Sequence, residues 1–191
     1  TARSIAVDGY GSAYVTGTST GTGYYDYATV KYSTSGTQLW AMRYNGSVNY
    51  LDYGAALSLR GTYVYVTGYA TEHHTYKDYV TIKYDLDGNQ QWQVNFDGQA
   101  HLDDTPYDVK ADAYGNVYLT GVAQGDSNSH DCVTVKFDTN GNQLWMTRFD
   151  EAGFSDQGRV VAVDSIGNVY VGGVGLTGTG SAYDYVTIKY D

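Results

Sequence analysis

The stretch "DYATVKYSTSGTQLW" (26–40) returns as "DYVTIKYDLDGNQQW" (78–92) and "DCVTVKFDTNGNQLW" (131–145), and its first half returns as "DYVTIKYD" (184–191). Each copy alternates apolar with polar residues and is rich in β-branched and aromatic side chains, which is typical of a β-strand. The Gly in the middle of each long copy marks a tight turn. The stretch therefore predicts an antiparallel hairpin that the chain repeats.

Two further phrases precede this hairpin in every repeat. The first begins as "IAVD" (5–8) and the second as "SAYVTG" (12–17), and both alternate like strands. Together with the hairpin they make four strands per unit, so each repeat is expected to form one four-stranded antiparallel sheet. The later copies are "LSLR" (57–60), "VKAD" (109–112) and "VAVD" (161–164), then "YVYVTG" (63–68), "NVYLTG" (116–121) and "NVYVGG" (168–173).

The repeat recurs every 52 to 53 residues, which is the spacing of Trp40, Trp92 and Trp145. One such sheet cannot bury both faces alone, so neighbouring sheets must stack. A β-sandwich gives no reason for a constant period, and a β-solenoid needs shorter coils. The sequence therefore predicts an all-β fold, a β-propeller of four-stranded antiparallel blades. The predicted blades are residues 1–50, 51–102, 103–155 and 156–191, and the last lacks its outermost strand.

The composition limits the classes of partner. The 191 residues include 22 Tyr, 24 Gly and one Pro, as in a β-protein with many turns. The formal charge of −10 argues against nucleic acid and anionic membrane surfaces as partners. No apolar run approaches transmembrane length, so no membrane insertion is expected. Cys132 stands where other repeats carry Tyr, which indicates a packing role.

The patterns "IAVDxxGNVYVTG" and "DYVTIKYDxxGNQLW" resemble the seven-bladed beta-propeller (SBBP) repeat family, found mainly in bacterial extracytoplasmic proteins. The resemblance covers the whole chain. It implies strands A to D running from the central channel outward, an extracellular or cell-surface setting, and interaction roles rather than a common enzymatic activity. Two copies depart from the pattern: "GYGSAYVTG" (9–17) lacks the Asn and "LRGTYVYVTG" (59–68) lacks the Asp.

The number of blades is left open by the sequence. The A, B and C strands recur four times, whereas the D strand recurs three times. The chain is therefore an arc of a longer propeller, a four-bladed ring with one short blade, or half of an eight-bladed dimer. The missing outer strand bares the edge at 184–191, and a bare edge pairs readily with another chain, so a homo-oligomer is expected.

The B–C and D–A loops vary between repeats and share one rim, which makes this rim the predicted contact surface. Their aromatic, amide and carboxylate side chains suit stacking on sugars and hydrogen bonding to them. A glycan or protein ligand and no dedicated small ligand are both compatible with this rim. The candidate ligand-binding residues are Tyr24, Tyr25, Tyr50, Tyr69, His73, His74, Tyr76, His101, Asp103, Asp126 and Phe154.

Metal and cofactor sites are not predicted. Asp85, Asp87 and Asn89 are spaced like the start of a calcium loop, but the bidentate Glu is absent and a hairpin turn explains them. His73 and His74 with His101 or His130 would need convergence that nothing in the sequence provides, so solvated loop histidines are favoured.

No catalytic residue is predicted, because the candidate carboxylates recur in every repeat and a catalytic pair is normally unique. They are expected to cap loops or bridge blades, and the repeated lysines likewise. The repeated residues are Asp26, Asp78, Asp131 and Asp184, then Asp52, Asp104 and Asp156, then Lys31, Lys83, Lys136 and Lys189.

Three functions follow in order of preference. The first is a non-catalytic binding or scaffolding module of an extracytoplasmic bacterial protein. The second is a structural or engineered piece of a propeller that assembles by oligomerisation. The third is a hydrolase or lyase centred on the channel, by analogy with enzymes on this fold.

Overall fold

The computed structural model describes residues 1–21, 24–48, 50–71, 76–125, 129–150, 155–176 and 183–191, and the regular elements of these residues are fifteen β-strands. The strands are β1 (Ala2–Val7), β2 (Ala13–Thr20), β3 (Tyr25–Tyr32), β4 (Gln38–Tyr44), β5 (Tyr53–Arg60), β6 (Tyr63–Thr71), β7 (Lys77–Asp85), β8 (Gln90–Phe96), β9 (Asp104–Ala111), β10 (Val117–Gln124), β11 (His130–Phe137), β12 (Gln143–Phe149), β13 (Gln157–Val163), β14 (Val169–Leu176) and β15 (Tyr183–Tyr190).

These strands form four antiparallel sheets in simple sequence order: β1 to β4, β5 to β8, β9 to β12, and the three-stranded β13 to β15. We call them blades 1 to 4. Each strand pairs with its neighbours in the chain, as hairpin connections require. The sheets stack side by side, so the predicted fold class is confirmed: the protein is an all-β β-propeller. Within the described part of the chain, no helix has the length and apolar character needed to cross a membrane.

The blades pack through their two faces. We call the face toward the next blade along the chain the forward face, and the opposite one the rear face. In blade 2, Val80, Ile82 and Tyr84 pack on blade 1, whereas Tyr79 packs on blade 3. This is the alternation expected of a strand buried on both sides, with side chains pointing to opposite faces in turn.

Three core clusters join consecutive blades. Between blades 1 and 2, the tyrosine rings of Tyr14 and Tyr27 pack on valines and leucines of the next sheet. Blades 2 and 3 meet in the same way. Between blades 3 and 4, Tyr118 and Cys132 provide the forward face, so Cys132 has the predicted packing role. Large side chains on one face thus fill the spaces between smaller ones on the next.

An outer latch holds blade 1 to blade 2 and blade 2 to blade 3. The Lys31 ammonium and the Trp40 indole N–H both donate to the Leu86 carbonyl of blade 2, at 2.8 and 3.0 Å. Lys83 and Trp92 donate to the Thr139 carbonyl of blade 3 in the same manner, both at 3.0 Å. In blades 1 and 2 the lysine and tryptophan therefore act as a pair, and Lys31 and Lys83 have the expected structural role.

The repeated Asp and Gly residues stabilise the tight turns between the A and B strands and between the C and D strands. In the turn after β7, the Asp85 carboxylate accepts hydrogen bonds from the backbone N–H groups of Asp87 and Asn89, both at 2.9 Å. Gly88 lies at φ 90°, a conformation that favours glycine. The Asn89 side-chain amide also donates to this carboxylate at 2.9 Å, and that bond, together with the backbone bonds, holds the pKa of Asp85 below its usual range. The calcium-like spacing is thus that of a hairpin turn.

The two end blades each expose one face. Tyr27 and Tyr79 are 1% and 0% exposed, whereas Tyr185 at the same repeat position of blade 4 is 86% exposed. At the other end, Ile5 on the rear face of blade 1 is 65% exposed, whereas its equivalent Leu57 is 5% exposed. No core cluster among the described residues joins blade 4 to blade 1, so these residues form an arc with two uncovered faces.

The outer latch leads to a stability prediction. We expect Lys83→Met to lower the free energy of unfolding by about 1–2 kcal/mol, because the Thr139 carbonyl loses a charged donor. The ammonium also lies 3.9 Å from the ring centroid of Tyr63, so a cation–π contact is lost with it. Urea unfolding followed by tryptophan fluorescence measures the change.

Lys189→Met is the matched control. Lys189 occupies the same repeat position in blade 4, but its side chain is half exposed and pairs with Asp191 near the end of the chain. We expect this substitution to change the unfolding free energy by less than about 0.5 kcal/mol. Equal losses in the two variants would show that the latch contributes nothing.

Candidate functional site

The innermost strand of each blade carries a β-bulge at the same repeat position. One residue of each A strand has no partner in the register between the A and B strands. These residues are Arg3 in blade 1, Ala55 in blade 2, Tyr107 in blade 3 and Arg159 in blade 4. A bulge leaves one residue out of the ladder and turns its side chain away from the regular alternation. The four bulges therefore set which side chains line the channel near the rim of the variable loops.

A glycine opposite each bulge permits this arrangement. The glycine is the last residue of the "YVTG" type phrase, and a Cβ there would lie 1.8 to 2.2 Å from a carbonyl oxygen of the A strand. Since no side chain tolerates that approach, the recurring Gly is explained by backbone contact. The four glycines are Gly17, Gly68, Gly121 and Gly173.

A cavity of about 420 Å³ opens at this end of the channel, and we call it the mouth cavity. Its side chains come from three blades: Arg3 from blade 1, Tyr53 and Tyr69 from blade 2, and Thr105 and Tyr107 from blade 3. Phenol rings, a hydroxyl and a guanidinium thus surround one space. A pocket that is largely aromatic with a few convergent polar groups is the usual form of a small-ligand site.

Tyrosine rings continue from the cavity onto the rim. The rings of Tyr53 and Tyr69 stack with centroids 5.0 Å apart, and Tyr25 lies 6.2 Å from Tyr53. The Lys77 ammonium lies 5.5 Å from the Tyr69 ring centroid and 3.0 Å from the Asp103 carboxylate. These contacts hold the tyrosines in a connected row across blades 1 and 2.

Burial raises the pKa of Tyr69 to about 12, so its phenol remains protonated at physiological pH. The nearby Tyr53 raises it further, and the positive charge of Arg3 partly opposes the shift. A protonated phenol offers one hydrogen-bond donor and two lone pairs to a ligand. It is therefore suited to binding hydroxyl groups and is a poor nucleophile.

The predicted rim residues fall into three groups. Tyr25, Tyr69 and Asp103 belong to the connected row, with Tyr69 in the mouth cavity itself. A separate exposed pair is formed by Tyr24 and Tyr50, with ring centroids 4.9 Å apart. Two further predicted residues, Tyr76 and His101, are exposed. The other four lie outside the described residues: His73, His74, Asp126 and Phe154.

His101 forms a local contact rather than a cluster with other histidines of the described chain. Its Nδ1 lies 2.5 Å from an oxygen of Asp97, and its φ of 54° places it in the left-handed region. The Asp97 carboxylate raises the pKa of the imidazole. His130 lies at the start of β11, where its backbone N–H donates to the Ser155 hydroxyl.

Five residues of the site were not predicted from the sequence: Arg3, Tyr53, Thr105, Tyr107 and Arg159. They precede the alternating phrase at the start of each A strand, where the bulge breaks the period of two. The usable signal was the unexplained Gly of the second phrase, which marks close backbone approach on the partner strand.

The repeated aspartates have the expected structural role. Asp52 accepts hydrogen bonds from the N–H groups of Gly46 and Thr71, at 2.7 and 3.1 Å, so it ties the loop after blade 1 to blade 2. Asp104 accepts from Gly98 and Gln124 in the same way between blades 2 and 3. Both carboxylates are fully buried. They bridge blades, and each is copied in the next repeat.

Acidic residues converge at these bridges. Carboxylate oxygens of Asp78, Asp97 and Asp104 lie within 4.8 Å of one another, as do those of the equivalent Asp131, Asp150 and Asp156. Carboxylate oxygens are ligands that Ca²⁺ takes, although exposed acidic groups often cluster without an ion. The absence of a dedicated metal site therefore stays a prediction.

The acidic cluster of blade 2 differs from the equivalent positions in blades 1 and 3 by the absence of one arginine. Arg43 pairs with Asp26 in blade 1, and Arg148 pairs with Asp131 in blade 3. Blade 2 carries Asn95 at the same position of its outer strand. The cluster around Asp104 consequently holds three carboxylates without the arginine that its neighbours have. Desolvation, with added repulsion from Asp78 and Asp97, raises the pKa of Asp104 to about 7.

This pKa predicts a pH dependence of stability. An unfolded Asp titrates near pH 4, so the folded protein binds an extra proton between about pH 4 and 7. Stability from this group is therefore lost as the pH rises through 7. The raised pKa of His101 acts in the same direction. We expect the melting temperature to fall between pH 6 and pH 8, measured by thermal unfolding.

Asn95→Arg isolates the cause, because it gives blade 2 the arginine of blades 1 and 3. We expect the variant to be more stable than the parent at pH 8, by about 0.5–1 kcal/mol, and to lose less stability between pH 6 and 8. An unchanged slope in this variant would contradict the assignment to the aspartate cluster.

The fold and the mouth cavity define a β-propeller with an aromatic site at one end of its channel, and comparisons with known proteins agree on the fold. The chain is similar to a protein of unknown function from Bacteroides caccae, with 12% identity, a TM-score of 0.55, and coverage of 97% of this chain and 60% of that one. It is also similar to a gluconolactonase from Xanthomonas campestris, with 12% identity, a TM-score of 0.48, and coverage of 88% and 52%.

The chain spans about 60% or less of the length of these two structures. No family model matches it, and no curated protein does. At this identity the likeness to the first structure shows the fold alone, and the likeness to the second carries no argument. The resemblance to the SBBP repeat family stays a prediction from the sequence.

Proposed function

We propose that this protein is a non-catalytic binding module whose mouth cavity and adjoining tyrosines bind carbohydrate. The observation that carries the proposal is the stacked pair of Tyr53 and Tyr69 beside a cavity of about 420 Å³. Sugar rings present C–H faces that pack on aromatic rings and hydroxyls that pair with phenols and backbone groups. The volume suits one or two sugar units.

The charge and chemistry of the chain support this ligand class. A formal charge of −10 disfavours polyanions such as nucleic acids, while an uncharged sugar chain is indifferent to it. The repeated aspartates are engaged in bridging blades, as for Asp52 and Asp104, which supports binding over hydrolysis. The resemblance to SBBP repeats supports an extracellular or cell-surface setting.

The first test is binding to a printed glycan array, followed by calorimetry with the glycan that binds. We expect Tyr25→Ala and Tyr53→Ala each to weaken the affinity by about 3- to 10-fold, since each removes one aromatic contact surface. Tyr25 is half exposed, so its loss is not expected to unfold the protein.

Tyr10→Ala is the matched control. Tyr10 is largely exposed in the A–B turn of blade 1, on the opposite rim. The affinity should be unchanged in this variant, and melting temperatures should agree among all three proteins. A blank array with the folded protein would refute carbohydrate binding and leave a protein ligand. Turnover of a bound glycan would refute the non-catalytic assignment in favour of a channel-centred hydrolase or lyase.

A second proposal concerns assembly and rests on the two uncovered end faces. The forward face of blade 4 exposes Tyr185, and the rear face of blade 1 exposes Ile5 and Val7. Inside the chain the same two kinds of face meet three times, for example where Tyr118 and Cys132 pack on blade 4. Two copies joined head to tail would repeat this interface twice, giving the eight-bladed ring that is one of the three arrangements left open by the sequence.

The mass in solution tests the assembly. We expect light scattering after size exclusion to give twice 20.9 kDa for the parent chain and 20.9 kDa for Tyr185→Asp, which puts a charge in the apolar contact. Tyr114→Asp, at an exposed turn position, should leave the dimer intact. A monomeric parent at all concentrations would refute self-assembly and favour coverage of these faces by further blades of a longer chain.

A further inference from the structure

Two guanidinium groups at the mouth of the channel stand apart from the other arginines. Arg43 and Arg148 are paired with buried or nearly buried aspartates. By contrast, no carboxylate among the described residues forms an ion pair with Arg3 or Arg159. In a chain with a formal charge of −10, these two arginines place positive charge beside the mouth cavity.

Both arginines occupy bulge positions, so the backbone directs them to the channel. Arg3 lines the mouth cavity directly, on the same side as Tyr69. Arg159 reaches it through Tyr107, over whose ring the guanidinium lies at 4.4 Å from the centroid. A guanidinium stacked by its face keeps its N–H donors at the edge of the plane, where an anion can accept from them.

The geometry around these groups favours a planar anion on a ring-shaped ligand. A guanidinium presents its donors as a fork that matches a carboxylate, with two parallel N–H···O bonds. The stacked tyrosines beside it, Tyr53 and Tyr69, offer an apolar face for a ring. The cavity therefore combines one element that recognises a carboxylate with another that recognises a sugar ring.

We propose that the mouth cavity selects sugars that carry a carboxylate, as uronic and sialic acids do. Arg3 binds the carboxylate, Arg159 held on Tyr107 adds to the positive field, and Tyr53 and Tyr69 pack on the sugar ring. This inference rests on the proposed carbohydrate binding and adds the chemical class of the ligand. Arg60 lies at the opposite rim, where its guanidinium donates to the Asp112 carbonyl, and it takes no part in this site.

The experiment compares galacturonic acid, a single sugar unit with one carboxylate, with its methyl ester, which lacks the negative charge and keeps the sugar ring. Sialyllactose and lactose form a second pair that distinguishes the two sources of the carboxylate. Calorimetry at low salt should show the acidic member binding at least about 10-fold tighter in one or both pairs. Added NaCl should reduce that preference, because the contact is between charges near the surface.

Substitutions of single arginines test which side chain causes the preference for the acidic sugar. Arg3→Gln should weaken binding of the acidic sugar by about 10- to 100-fold while leaving the neutral member unaffected. Arg3→Lys, which keeps the charge but not the fork, should lie between parent and Arg3→Gln. Arg60→Gln removes the same charge at the opposite rim and should bind like the parent. Melting temperatures confirm that each variant is folded.

The outcomes separate this inference from the function on which it rests. Equal binding of acidic and neutral sugars, weakened by Tyr53→Ala, would overturn the carboxylate selection and keep carbohydrate binding. A preference for the acidic sugar that survives both Arg3→Gln and Arg159→Gln would also overturn it. If neither member of either pair binds while the glycan array shows another sugar bound, the carboxylate selection is overturned and carbohydrate binding stands. If the array is blank as well, both fail.

Discussion

The stacking of blades 1 to 3 depends on one backbone carbonyl in blade 2 and one in blade 3, each of which accepts two side-chain donors from the preceding blade. A lysine and a tryptophan, separated by nine residues across a hairpin, converge on Leu86 in one case and on Thr139 in the other. Neither donor is satisfied within its own sheet. The sheets therefore gain a polar, directional contact at their outer edge in addition to apolar packing, which fixes the register of stacking.

Near the channel the blades are joined by weaker and more varied contacts. The Ser4 and Ser58 hydroxyls each accept from a backbone N–H of the next A strand at 3.3 Å, and Asp108 accepts from Val161 at 3.0 Å. The outer edges of the blades are thus joined by one repeated contact, whereas the inner strands are joined by contacts that differ from blade to blade. The mouth cavity lies on the variable side, where three different blades each contribute a different side chain.

Much of this architecture could be predicted from the sequence, because the strands repeat and their apolar and polar residues alternate with a period of two. The alternation in "DYVTIKYD" placed Val80 and Tyr79 on opposite faces, as the structure has them. The bulge residues could not be found in this way, because a bulge interrupts the alternation on which the reasoning depends. The raised pKa of Asp104 was equally hidden, since it arises from burial and from neighbours brought together by two blades.

Because of the bulge, a side chain beside the channel can be replaced without disturbing the pairing of the strands. A bulged residue contributes no cross-strand pair, so exchanging Arg3, Ala55, Tyr107 or Arg159 leaves every ladder contact in place. The side chain at this position can therefore differ from blade to blade, from arginine to alanine to tyrosine, while the sheet that carries it keeps the same pairing.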